Sequence, residues 1–126
     1  MILFNPWMEF LLKYQVVHSL PGRLRLHVPI IKKIPPEWQV EDNVFFEFFQ
    51  LIPGVKNVSF SYMTANVLMV YDESVINESQ ILLWIRRISE VILKYSGQLK
   101  VSTPERLVKV LKDLMPEIRK ELQAIS

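Results

Sequence analysis

The chain has 126 residues, half of them apolar, with 15 basic and 13 acidic side chains for a formal charge of +2, and no cysteine. That length supports one domain with its own core, and the lack of thiols excludes thiolate zinc sites, redox dithiols, cysteine-dependent copper transfer and cysteine nucleophiles. The basic residues are scattered among glutamates, which argues against a nucleic-acid interface, while the apolar share predicts that some surface is buried in a homo-oligomer or against a protein partner.

Residues 1–14 are apolar but lack a basic leader, and Pro6, Glu9 and Lys13 interrupt them. No signal peptide is read there, and no apolar run reaches the roughly 18 residues that a spanning helix needs. The expectation is a soluble, cytoplasmic protein, with peripheral membrane contact through Trp7, Phe10, Leu11 and Leu12 as a further option. From Arg23 the residues alternate, which predicts a strand with Leu24, Leu26 and Val28 on one face and Arg23, Arg25 and His27 on the other. Pro21 and Gly22 mark a turn before it and Pro29 ends it. Residues 30–38, with Pro35 and Pro36, read as a loop. A helix is predicted over 39–52 on Val40, Val44, Phe45, Phe48, Leu51 and Ile52, stopped by Pro53 and Gly54.

Residues 55–62 and 67–71 are rich in β-branched and aromatic side chains and form a predicted hairpin. In the first strand Val58, Phe60 and Tyr62 oppose Asn57, Ser59 and Ser61. In the second both faces are apolar, the pattern of a central strand or of an open face with a partner. A second helix starts at the cap Asn77, with Gln80 placed to reach back, and runs to about Tyr95. Residues 98–102 are predicted as a strand with Leu99 and Val101 inward. A last helix follows from about residue 103, striped by Leu107, Leu111, Leu114, Ile118, Leu122 and Ile125, with a kink or break expected at 112–115 because Pro116 lacks a donor.

The order strand, helix, strand, strand, helix, strand is two βαβ units, hence an α+β, ferredoxin-like sandwich with an antiparallel sheet and two helices on one face. The expected organisation is an apolar N-terminal extension over 1–20, the ferredoxin-like domain over 21–102 and a C-terminal helical extension over 103–126. The two extensions are natural covers for the open sheet face or for a neighbouring subunit.

The pattern His18, Pro21, Gly22, Arg23, Arg25, together with the passage from Pro53 through Gly54 and Val55 into a strand, resembles the heavy-metal-associated domain superfamily, in a cysteine-free branch. The resemblance covers about residues 15–102. It implies a ferredoxin-like fold, and members of this branch look like neighbours or appendages of P-type metal-transporting ATPases. The superfamily's two thiolates normally sit in the loop after the first strand. Here that loop, 30–38, carries no thiol, thioether or imidazole, so the copper-chaperone role does not carry over.

The candidate site residues are few. His18 and His27 are the only imidazoles and could ligate haem iron or a divalent metal, His18 being the better placed as a cofactor ligand; the alternative is that they bond within the turn and the sheet. Arg23 and Arg25, with Ser59, Ser61 and Tyr71 on the same face, form a candidate anion- or partner-binding patch. Met63 and Met69 read as packing residues rather than as soft-metal ligands. Glu41, Asp42, Asp72 and Glu73 are adjacent acids at element ends without a nucleophile or base beside them, and no phosphate loop is present. The sequence therefore reads as a non-enzymatic binding module without a cofactor, acting by protein contact beside a metal-transporting ATPase, with a haem or divalent-metal carrier as the alternative.

Overall fold

The computed structural model describes residues 13–33, 44–99 and 103–125. Strands β1 (Gln15–Leu20), β2 (Arg23–His27), β3 (Val55–Phe60) and β4 (Asn66–Tyr71) form one antiparallel sheet in the order β1-β2-β4-β3. Helices α1 (Val44–Gln50), α2 (Glu78–Lys94), α3 (Ser96–Leu99) and α4 (Pro104–Ile125) complete the chain, with a 3-10 turn over Pro29–Lys33. The fold is α+β and ferredoxin-like.

Period-2 alternation sets the sheet's two faces. Leu24, Leu26 and Val28 are buried, as are Val58, Val67, Met69 and Tyr71, and these meet Phe48, Phe49, Ile52, Ile81, Ile85, Ile88, Val91 and Ile92 in one core. The long helices thus lie on one side. Helix α4 joins that core through Leu107, Leu111, Met115, Ile118 and Leu122 and packs on α1 and α2. It therefore does not cover the opposite sheet face. Among the described residues no helix is long and apolar enough to cross a membrane.

Local signals explain the joints. Asn77 Oδ1 accepts from the Gln80 amide and Gln80 Oε1 from the Asn77 amide, both at 2.9 Å, closing a capping box at the start of α2. Two Pro-Gly turns flank the end of β4: Gly22 and Gly54 have φ of 85° and 86°, and their carbonyls accept the consecutive amides of Tyr71 at 3.0 Å and Asp72 at 2.8 Å. A Cβ on Gly54 would lie 3.0 Å from Val75 and Ile76, so glycine is required there for space as well as for φ. In the β3–β4 connection Ser61 Oγ accepts the amides of Met63 and Thr64.

Three sequence-based expectations are corrected. Gln98 and Leu99 are helical, within α3, and 100–102 lie outside the described residues; beside β2, in the position expected of the fourth strand, stands β1 instead. A bulge between Val16 and His18 breaks the alternation of β1, which is why its sequence does not announce a strand. The two-residue turn at Pro21 and Gly22 also makes β1 the partner that closes on β2 with the least loop entropy. Of the kink or break expected at Pro116, the break does not occur, since α4 is helical throughout; the ring is exposed, and what proline takes from the helix is its own amide donor. The expected helix over 39–52 is described only from Val44; Val40, Glu41 and Asp42 lie outside the described residues, as do Trp7, Phe10, Leu11, Leu12 and Val101, and the side chains of Phe45, Phe46 and Ile125.

Candidate functional site at the uncovered sheet face

Antiparallel registry arranges the face away from the helices in rows. Directly opposed residues share a face, so Leu20, Arg23, Val70 and Asn57 form one row, and His18, Arg25, Leu68 and Ser59 the next. Gln15, His27 and Asn66 form a third. Both arginines and His18 are exposed, whereas Leu68, Val70 and His27 are half-buried among their neighbours. Val17, His18, Leu20, Arg23, Arg25 and Leu68 line a shallow depression of about 360 Å³.

The two histidines thus occupy one face in adjacent rows but are differently engaged. His27 Nδ1 donates to Asn66 Oδ1 at 3.2 Å, while His18 stands opposite Arg25. Of the residues expected beside the arginines, Ser59 is on their face. Ser61 instead caps the hairpin turn. Tyr71 points into the core and donates its hydroxyl to the Leu20 carbonyl at 3.3 Å, because it shares the parity of Val67 and Met69. Sequence reasoning did not name Leu20, Leu68 and Val70 as site residues, although the two-faced apolarity of β4 was the signal for the last two.

Electrostatics outside this face serve the fold. Glu121 on α4 accepts from Tyr95 at 2.8 Å and from Lys94 at 3.2 Å; the Tyr95 hydroxyl, then Lys94, holds its carboxyl below the usual glutamate value, and the same bond raises the Tyr95 phenol. The Ser74 hydroxyl and amide lower Asp72 within its turn. Neither cluster assembles a nucleophile and a base.

The chemistry needed for a soft cation does not fit this chain. It has no thiol, Met69 is sealed in the core while Met63 is 85 % exposed on the hairpin, and among the described residues no group of three or more His, Asp or Glu side chains could hold a metal ion. What the face offers is two guanidiniums, flanked on one side by the His18 imidazole and on the other by the apolar ground of Leu68 and Val70.

No curated protein and no solved structure matches the sequence. The model of the family described as heavy metal associated domain 2 matches residues 8–123, nearly the whole chain. With the cysteine-free sequence and the α+β sheet in view, the chain belongs to the heavy metal associated domain 2 family.

Proposed function

We propose that the protein is a non-enzymatic contact module that docks another protein, or a second copy of itself, on its uncovered sheet face. The observation that carries this reading is that face itself: half-buried Leu68 and Val70 lie between exposed Arg23 and Arg25 on one side and exposed Asn57 and Ser59 on the other, and no described helix covers them. Apolar ground bordered by polar and charged side chains is the composition of a protein contact. The family resemblance makes a P-type metal-transporting ATPase the first partner to test. Sedimentation velocity of the full chain, alone and with the soluble domains of such a transporter from its host cell, checks the proposal. Association is expected, and a Leu68→Asp, Val70→Asp variant with an unchanged circular dichroism spectrum should lose it. A chain that stays monomeric and forms no complex with those domains overturns the reading.

A second reading rests on His18, which is exposed in the depression beside two arginines and Leu68. An imidazole for iron and guanidiniums for carboxylates would suit haem, with His27 as a further ligand. Titration with haemin and metal analysis of the purified protein test it. An unchanged haem spectrum with no retained metal removes it.

A further inference from the structure

The chemistry of the partner can be narrowed, on the footing that this face is where a partner docks. Arg23 and Arg25 leave β2 on the same side, about 7 Å apart along the strand. Among the described residues no carboxylate pairs with either guanidinium. Their cross-strand neighbours are Leu20 and His18 on β1, a strand with no Asp, Glu, Lys or Arg whose six residues are all exposed. It ends the sheet, and among the described residues no strand lies on its outer side. The other edge differs. There β3 carries exposed Lys56 at a register shift between Val55 and Asn57, a lysine and a bulge being the devices that discourage strand addition. The bulge of β1 falls at Val17, and residues 18–20 beyond it are regular, exposed and without Asp, Glu, Lys or Arg.

We infer that this edge receives an extended acidic segment of the partner protein, of the pattern acid-x-acid, whose two carboxylates reach over His18 and Leu20 to Arg25 and Arg23. An extended chain repeats its side chains on one face at the same pitch of about 7 Å, so alternate acids match the two arginines one to one. A segment added to β1 lies two strand spacings, about 10 Å, from β2, a gap that an arginine and a glutamate span jointly. Backbone pairing supplies affinity and the arginines supply selection, as in other strand additions, with carboxylate–guanidinium pairs the natural bidentate match. Nucleic acid is a poorer occupant, since the three rows of the face contain no Phe, Tyr or Trp on which bases could stack.

Fluorescence anisotropy of the full chain with dye-labelled peptides tests the inference. The probes are a Thr- and Val-rich peptide carrying Glu-Val-Glu, its Gln-Val-Gln and Lys-Val-Lys counterparts, and a Glu-Val-Glu peptide N-methylated along one edge. The acidic probe should bind at least about fivefold more tightly than the glutamine probe, the scale expected of two partly exposed ion pairs. N-methylation should weaken it comparably. An Arg23→Glu, Arg25→Glu variant, checked as folded by circular dichroism, should lose the preference for the acidic probe and gain one for the lysine probe. Equal binding of acidic and glutamine probes, no binding of either, indifference to N-methylation, or an unchanged preference in the variant overturns the inference. So does displacement of the peptide by inorganic phosphate alone at micromolar concentration, which marks a simple anion site, or arginine-dependent binding to phosphatidylglycerol vesicles without peptide binding. If any of these occurs while Leu68→Asp, Val70→Asp still abolishes association with the transporter domains, the docking face stands and only its acidic selectivity falls.

Discussion

At the scale of single residues, a contact between the C-terminal helix and the end of α2 carries a pH signature. Tyr95 and Lys94 both donate to Glu121, lowering the glutamate and raising the tyrosine. A carboxylate whose folded value is depressed contributes stability that is complete above the ordinary glutamate value and drains away as pH falls through the lowered one. A phenol whose folded value is raised contributes stability that is complete below the ordinary tyrosine value and is lost as pH climbs through the raised one. Thermal unfolding of Tyr95→Phe against pH should therefore show a shallower fall on both the acid and the alkaline side than the unaltered chain. Parallel profiles would detach the pH dependence from this bond. None of it was legible in the sequence, because Tyr95 and Glu121 are brought together only by the packing of two helices.

At the scale of elements, what could be read from the chain was whatever local chemistry encodes. Asn77 and Gln80 announced the start of α2, and the structure closes both of their bonds. Replacing Asn77 with Ala should cost about 1 kcal/mol in denaturant unfolding, and a loss within measurement error would mean that the cap is not holding the helix. Leu24, Leu26 and Val28 announced β2 in the same way, by alternation. The elements that were misjudged are those whose local pattern is overridden. Gln15 to Leu20 hides a strand behind a bulge, and Leu99 and Val101 mimic a strand's alternation where Gln98 and Leu99 are helical. Pro116 has an unfavourable local preference, yet the inward stripe of Leu111, Met115, Ile118 and Leu122 on either side of it holds α4 continuous. Of the candidate site, the arginine face was legible from Arg23 and Arg25 alone, while its apolar floor needed the registry of β4 between two strands.

At the scale of the whole molecule, one strand presents a different face to the core and to the proposed docking surface. Met69 is fully buried and Leu68, its neighbour, half-buried on the opposite face. Met69→Ala should cost about 2–5 kcal/mol as a cavity in the shared core, and Leu68→Ala no more than about 1 kcal/mol, since most of what it loses is side-chain contact at the surface. Equal costs in chemical denaturation would show that the second face is packed in the free protein and not held open for a partner. The placement of β1 has a kinetic consequence as well. With β1 beside β2 and β3 beside β4, the sheet consists of two local hairpins, and the registry of Arg23–His27 against Asn66–Tyr71 is its single long-range seam. Each hairpin closes over a few residues, so contact order predicts that docking of the two along that seam is the slow event in assembly. The residues that form it, Arg25 and Leu68 among them, are then expected to be set last in the sheet, and they are the same ones on which the proposed docking rests.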